Sequence, residues 1–250
     1  APNGAPFSQG LDSRRVDLGT EARLPAGGSK IFTLRGSFSH RGETRTFGDV
    51  LERGRRLSWF TEAFVQGSAG RHLWLLGGAI QQDDYQNHDL GRFDFNFVTP
   101  GFIAQDEITL SEKLTLGMSA RLDSHNQYGT FFSPRLSLLW KPTPEWTTRV
   151  SAGTGFFAPT PFVEETEETG FSHLLPLSGL VAERARSASL DTSWSKGPFE
   201  LVATVFGSVI HDPVEYRFVG TDQAALLNAL GEVRTWGTEL LARYRKEEFL

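Results

Sequence analysis

Few residues of this chain could do chemistry, and they are scattered. There is no Cys, and the one suggestive pair is Ser124 followed directly by His125. A catalytic Ser–His pair must meet in space beside an oxyanion hole, whereas neighbouring residues of a strand point to opposite faces. A polar loop tip is therefore the favoured interpretation. We predict no catalytic residue, no metal site and no resident cofactor; a hydrolase stays as an alternative that a His125 substitution would test.

Histidines are the other candidates, because a neutral imidazole is a good ligand for iron or copper. His88, His125 and His173 fall in predicted long connections, and His40 and His211 fall at strand ends on the same side. Capture of haem or a metal chelate on that side is one hypothesis. No His-x-x-His spacing is present, which favours solvated loop histidines.

The elements that would position these residues are strands. Over 114–123, the apolar Leu116 and Met118 alternate with polar residues such as Arg121. Successive strand side chains point to opposite faces, so one face is apolar and the other polar. We expect Leu116, Met118 and Leu138 to face outward and Arg121 and Arg135 inward. Alternation alone fits either a soluble sandwich or a membrane barrel.

Connection lengths favour the barrel. Tight turns are predicted at 25–28, 67–70, 111–113, 142–145, 195–198 and 246–248, and long loops at 41–54, 85–100, 124–131, 158–182 and 212–230. Short turns on one rim and long loops on the other are typical of transmembrane β-barrels. About eleven strands follow: 14–24, 29–40, 55–67, 71–84, 101–111, 114–123, 132–141, 145–157, 183–194, 198–211 and 232–245. A helical period appears only at Gln223–Leu230, inside a long loop.

Bulk properties agree with this all-β interpretation. The 250 residues include 20 Phe and 6 Trp, which suits aromatic girdles, and no stretch approaches the ~20 apolar residues of a membrane helix. A net charge of −5 makes nucleic acid an improbable partner. The first residues lack the features of an export signal and the last resemble a turn, so we expect an internal fragment of a longer exported protein.

Three stretches carry a family resemblance. Residues 101–123, 133–160 and 228–244 have the order and spacing of the C-terminal barrel region of TonB-dependent outer-membrane receptors. Gly-Phe-Phe-Ala-Pro-Thr at 155–160 is similar to that family's Gly-Phe-Arg-Ala-Pro-Thr box, with Phe157 where Arg is usual. The resemblance covers most of residues 30–250.

The resemblance implies an antiparallel, up-and-down transmembrane barrel of about 22 strands, plugged by an N-terminal domain. Residues 1–250 would be about half of that barrel, with the plug and the last strands absent. The implied function is energy-coupled uptake of an iron–siderophore complex, cobalamin or haem across the outer membrane of a Gram-negative cell. The implied partners are the TonB complex, reached through the plug, membrane lipid and a small-molecule ligand. The alternative is a passive porin or surface adhesin.

Two sets of side chains are the candidate sites. In loops 85–100 and 158–182, aromatic rings and imidazoles would touch a ligand: Tyr85, His88, Phe93, Phe171 and His173. The resemblance makes His173 a haem-ligand candidate, since haem-uptake members carry a His after the Phe-Arg-Ala-Pro box, although their second box is not preserved here. Arginines on the polar faces would line the lumen and contact the plug, the wall or an anionic ligand: Arg35, Arg121, Arg135 and Arg149. The acidic cluster 164–168 is expected to be a solvated loop.

Overall fold

A computed structural model describes residues 8–220 and 223–245. Eleven strands form one antiparallel sheet in the order β1 to β10 followed by β13, and β11 and β12 pair separately. The strands are β1 (Gln9–Pro25), β2 (Ile31–Phe47), β3 (Val50–Ala69), β4 (His72–Asn87), β5 (Phe95–Ser111), β6 (Leu114–His125), β7 (Gly129–Thr143), β8 (Trp146–Phe157), β9 (Glu183–Lys196), β10 (Phe199–His211), β11 (Val214–Phe218), β12 (Ala224–Asn228) and β13 (Glu232–Tyr244). The predicted eleven-stranded meander is confirmed.

The register separates the sheet into two faces. Leu116 lies opposite Ile108 and Leu138, and the same row continues through Val150 and Leu190. Residues paired directly across an antiparallel ladder share a face, so this row is apolar across the five strands β5 to β9. We call this side the apolar face; in this row Leu138, Val150 and Leu190 are exposed, and Ile108 and Leu116 are half-buried.

The opposite side, the polar face, carries the charged residues. Arg121 lies opposite Ser133, and Arg135 lies opposite Ser119, one residue out of phase with Leu116 and Met118. The predicted separation of these arginines from the apolar residues is confirmed. The two faces follow directly from the period-2 pattern of the sequence.

The tight turns lie together at one edge, the turn rim. Two residues each join β3 to β4, β5 to β6, β7 to β8 and β9 to β10, as predicted. Gly70 and Gly197 open two of these turns with φ of +59° and +55°, a conformation that two-residue hairpin loops require and that Gly adopts without strain. The predicted turn at 246–248 lies outside the described residues.

The opposite edge, the loop rim, is more regular than predicted. The expected loop 41–54 is wrong, because β2 and β3 continue to a tight turn at Gly48 and Asp49. Similarly, β4 and β5 shorten the 85–100 connection to 88–94, which includes a 3₁₀ turn at Gly91–Phe93, and β6 and β7 reduce 124–131 to three residues. β3 has 20 residues, about twice the ~9–11 that a bilayer-spanning strand needs.

Two long connections remain at the loop rim. Residues 158–182, which we call the strap, contain one short helix, α1 (Glu164–Thr169). The acidic cluster 164–168 lies entirely within it, so its glutamates are exposed as expected but belong to a helix and not to a loop. Between β10 and β13, β11 and β12 form a hairpin, and the predicted helix at 223–230 is wrong. Ala224 and Leu226 are buried at alternate positions, which is a strand pattern. No helix among the described residues is long and apolar enough to cross a membrane.

Candidate ligand-binding site

The strap crosses the polar face and is fastened to the β2–β3 hairpin. Glu52, which is 3% exposed, accepts hydrogen bonds at Oε1 from the backbone N–H groups of Phe171 (2.6 Å) and Ser172 (3.0 Å). Gly170 precedes them with φ of +75°, and a Cβ there would lie 2.7 Å from Glu52 Oε1 and 2.8 Å from the Phe47 ring. The close approach therefore requires glycine.

Opposing effects act on the ionised form of the Glu52 carboxyl. Burial raises its pKa above the ordinary value, and the two N–H donors together with Arg45 only partly oppose that. Oε2 is buried without a hydrogen-bond partner among the described residues, as is Nη1 of Arg45 in the facing position. Both groups lie at the loop-rim end of the hairpin, close to the turn at Gly48 and Asp49. The strap is thus held by a carboxyl whose ionised form is incompletely solvated.

Arg92 fastens the strap from the other side. Its Nη2 donates to the carbonyl oxygens of Phe171 (3.5 Å), Ser172 (3.2 Å) and Leu174 (3.3 Å). Consecutive N–H and C=O groups of the same segment are therefore bound by one acid and one base. Since an unpaired buried backbone group is costly, these two side chains make the docked position possible.

A buried aromatic cluster lies beneath this docked segment. Tyr85, Phe93 and Phe171 are 2%, 3% and 1% exposed and pack with Leu174 of the strap and Leu226 of β12. Ring centroids of Phe93 and Phe171 are 5.1 Å apart. Burial raises the pKa of Tyr85, near the loop-rim end of β4, to about 12. The structure brings these three predicted site residues together, but as the core that holds the strap; their contact with a ligand stays a prediction.

The two predicted site histidines are not part of that cluster. His88 follows β4, and its backbone N–H donates to the carbonyl of Arg53, which lies on the apolar face. His173 is exposed on the strap, and its backbone carbonyl accepts a hydrogen bond from Ala224. The structure therefore does not group the imidazoles of His88 and His173, and a ligand role for either stays a prediction.

A cavity of about 560 Å³ opens on the polar face next to the docked strap. It is lined by residues of β3 to β6, the end of β8 and the start of the strap: Arg56, Gln81, Asp83, Phe97, Thr99, Arg121, Asp123, His125, Phe156, Phe157, Ala158, Thr160 and Phe162. We call it the inner pocket. Four Phe rings and two Arg–Asp pairs give it apolar walls and fixed charges, a combination typical of small-molecule sites.

The two ion pairs of the inner pocket are held in place. Arg56 binds Asp83, whose carboxylate also accepts the Ser58 hydroxyl at 2.8 Å, and the Arg56 guanidinium lies 5.1 Å from the Phe162 ring centroid. Arg121 Nε contacts both carboxylate oxygens of Asp123 at 2.7 Å. Each guanidinium keeps further N–H groups, so the pocket can offer donors to an anionic or oxygen-rich ligand.

His125 ends β6 at the loop rim, lines this pocket and is 5% exposed. Its Nδ1 accepts from the backbone N–H groups of Gln127 (3.2 Å) and Tyr128 (3.3 Å), and its ring lies 4.8 Å from that of Phe97. Ser124 lies one position earlier in the ladder, on the apolar face. The pair is therefore split between faces, as expected from strand geometry.

The predicted lumen-facing arginines share the polar face but only Arg121 lines the inner pocket. Arg35 pairs with Glu21 of β1 (3.0 Å) and Glu62 of β3 (3.2 Å), so its contacts are with the neighbouring strands of the sheet. Arg135 lies opposite Ser119, and Arg149 lies opposite Asp191. Contacts of all four with a plug or a ligand stay predictions.

Sequence reasoning missed Glu52, the Arg56–Asp83 pair and Phe162. One signal was available for Arg56 and Asp83, which both belong to predicted strands joined by the tight turn 67–70. Counting outward from that turn places Ser58 opposite Asp83 and Arg56 opposite Tyr85. Phe162 and the partner of Glu52 lie on the strap, whose path across the sheet depends on tertiary packing and leaves no sequence signal. No group of three or more His, Cys, Asp or Glu within 8–220 and 223–245 is placed to hold a metal ion.

Comparison with protein families settles the fold family. A model described as "TonB dependent receptor-like, beta-barrel" matches residues 3–250. The chain belongs to the TonB-dependent receptor family. The apolar face of the sheet is accordingly the outer surface of an outer-membrane β-barrel, and the polar face lines its interior.

Individual relatives agree with this family. Over 59 residues the chain is 44% identical to the "Iron-regulated outer membrane virulence protein" of Vibrio cholerae serotype O1, covering 24% of this chain and 9% of that protein. The structure is similar to the FrpB iron transporter of Neisseria meningitidis (TM-score 0.75, 14% identity, 95% of this chain and 42% of that one). It is also similar to the siderophore receptor PirA of Pseudomonas aeruginosa (TM-score 0.68, 15% identity, 91% of this chain and 53% of that one).

The chain thus spans about half, or less, of each structure it resembles. At these identities the solved structures establish the barrel fold. An open order with β1 and β13 at the two edges, within the described residues, fits a sheet that forms one part of a larger closed barrel.

Proposed function

We propose that this chain is part of the barrel of a receptor that imports an iron–siderophore complex, with the inner pocket contacting the chelate. The carrying observation is the inner pocket itself, in which Arg56 and Arg121 are each fixed by an aspartate between phenylalanine rings. Aromatic faces supply apolar contact, and oriented guanidinium groups bind the oxygens of an anionic chelate.

The loop rim faces the cell exterior in this proposal and the turn rim faces the periplasm, because long loops of such barrels are extracellular. The iron-related names of the Vibrio and Pseudomonas relatives support iron as the cargo. A plug and contact with the TonB complex, both outside this chain, would supply energy coupling. No step of this role requires catalysis.

Binding by the full-length receptor in detergent tests the ligand class. The probes are ferric enterobactin, haemin and cyanocobalamin, each measured by quenching of intrinsic tryptophan fluorescence. We expect the ferric siderophore to bind and Arg121→Gln to weaken it by about tenfold, the effect of losing one charge-assisted hydrogen bond. Arg149→Gln, which removes the same charge from the same face outside the inner pocket, should leave affinity unchanged. Equal losses in both variants would place the ligand elsewhere.

Uptake by whole cells separates this function from a passive porin. Accumulation of the radiolabelled ferric complex should stop when the TonB gene is deleted or the proton-motive force is collapsed. Uptake that is insensitive to both treatments would favour a passive channel. Binding without any uptake would favour a surface adhesin.

A further inference from the structure

A group of basic residues lies on the apolar face, outside the barrel, near the loop rim. Its members come from β1, β2, β3 and the residue after β4: Arg14, His40, Arg53, Arg55 and His88. They line a groove of about 430 Å³. We call this group the outer basic patch. The register separates it from the inner pocket, since Arg55 and Arg56 are neighbours on β3 and therefore point to opposite faces.

The patch begins just beyond the aromatic belt of the barrel. Phe38 and Trp59 are paired across β2 and β3, and Trp59 Nε1 donates to Gln82 Oε1 at 2.7 Å. Aromatic side chains of this kind mark the boundary between hydrocarbon and headgroups. Arg55 lies four residues further toward the loop rim, about 13 Å along the strand at ~3.3 Å per residue. The basic groups are therefore at headgroup depth.

Two of these cations, Arg14 and Arg55, have no acidic partner among the described residues. Arg53 is paired with Asp89 at 2.7 Å, whereas Arg55 donates only to the amide oxygen of Gln86 at 2.9 Å. Neither Arg14 nor Arg55 has a carboxylate within ion-pair distance in the part of the chain that the structure describes. Asp12 and Glu43 are the carboxylates that line the groove, and Glu43 is paired with Arg41 (3.0 Å) and Arg45 (3.1 Å). The guanidinium groups of Arg14 and Arg55 thus keep their donors available to an external anion.

A glycine makes room between these two arginines. Arg14 lies opposite Gly42, and Gly42 lies opposite Arg55, so the three positions form one row across β1, β2 and β3. A Cβ at Gly42 would have no atom within 4 Å, so the space between the side chains of Arg14 and Arg55 is open. The spacing of two strands, about 10 Å, lets two long arginine side chains converge on one group.

We propose that the outer basic patch binds the phosphorylated headgroup of a lipid in the adjacent membrane leaflet. Arg binds phosphate oxygens through paired N–H donors, and the imidazoles of His40 and His88 can add donors. The exposed Leu18 and the belt residues Phe38 and Trp59 would contact the acyl chains below. A lipid is favoured over a soluble anion because the patch is on the membrane-facing side, directly above that belt. The assignment rests on the proposed orientation of the rims.

Lipid retention by the full-length receptor tests the proposal. The receptor is incubated in detergent with lipid A carrying two phosphates, or with the same lipid after dephosphorylation, and bound lipid is counted by native mass spectrometry. We expect the bisphosphorylated lipid to bind and the double substitution Arg14→Gln/Arg55→Gln to weaken it at least tenfold. The matched control is Arg15→Gln/Arg41→Gln, which removes two charges from the inner face of β1 and β2 at the same end of the strands and should leave binding unchanged.

Several results would overturn the proposal. Equal retention of both lipid forms would show apolar contact only, and equal losses in both double variants would show a general charge effect. Displacement of the lipid by millimolar inorganic phosphate would assign the patch to a soluble anion. Both variants are first checked for the heat-resistant folded band on gel electrophoresis. Ferric siderophore binding by Arg14→Gln/Arg55→Gln should stay normal, so failure of this proposal and failure of the proposed import function give different results.

Discussion

Replacing Glu52 by alanine should release the strap. The side chain binds the N–H groups of Phe171 and Ser172 through one carboxylate oxygen, and both donors lie in a buried setting. A hydrogen bond to a charged group contributes about 1.5–3 kcal/mol, and a donor left buried without a partner costs about 1–3 kcal/mol. The burial that raises the pKa of Glu52 offsets part of this gain.

A net loss of about 2–4 kcal/mol in docking free energy is the result of these opposing effects. At about 1.36 kcal/mol per factor of ten, the undocked population of the strap should rise roughly 30- to 900-fold. Because the strap contributes one wall of the inner pocket, affinity for a ligand bound beneath it should fall as well.

Amide hydrogen exchange of the full-length receptor measures this population directly. In the Glu52→Ala variant, the amides of Phe171 and Ser172 should exchange faster by the factor given above, while amides in the β6–β7 ladder keep their rates. Glu164→Ala is the matched control, since Glu164 is exposed on the same strap and should have little effect. Unchanged exchange at Phe171 and Ser172 would refute the claim that Glu52 fastens the strap.

Two further predictions concern protonation and packing. The pKa of Glu52 is raised when the strap is docked, so protonation of Glu52 favours docking. Docking of the strap should therefore be strongest below pH 4.5, the ordinary pKa of this carboxyl, and should weaken as the pH rises through the docked-state pKa. Glu52→Gln should abolish that slope in strap exchange; a persisting slope would point to another group. Gly77→Ala should lower the barrel's melting temperature through about 1–3 kcal/mol of overpacking, because its Cβ would lie 2.4 Å from Phe64 Cβ. Gly78→Ala should leave the melting temperature unchanged, because its Cβ would lie 3.5 Å from the nearest atom. Equal melting temperatures of the two variants would contradict this prediction.

The strands that cross the membrane could be predicted because lipid and lumen impose opposite demands on alternate residues. Leu116 and Arg121 follow that rule, and their strand was placed correctly. Beyond the hydrocarbon core, lipid headgroups and water replace the acyl chains and both faces can be polar, so Thr44, Arg45 and Thr46 carry no alternation although β2 continues through them. Because the alternation is missing, 41–54 was predicted as a loop. The strands form there nevertheless, because the ladder of β2 with β3 is held by backbone hydrogen bonds, which polar side chains do not interrupt.

The strap and its pocket were harder to foresee. Ala224, Ala225, Leu226 and Leu227 have high helix propensity, yet pairing with β11 and burial of alternate residues overrule it. Tyr85, Phe93 and Phe171 were recognised as loop aromatics, but nothing in the sequence shows that they close on one another rather than on a ligand. That outcome depends on Glu52 and Arg92, which meet the strap only after the chain has folded.

The meander has a consequence for the order in which the molecule assembles. Most neighbouring strands of the sheet are joined by a connection of a few residues, so each pairing closes a short loop at small entropic cost. The contact of Glu52 with Phe171 instead spans 119 residues and needs the five strand pairings from β3–β4 to β7–β8 to be in place first. Hairpins should therefore form early and independently. Docking of the strap should be a late, slow step that follows assembly of the sheet from β3 to β8.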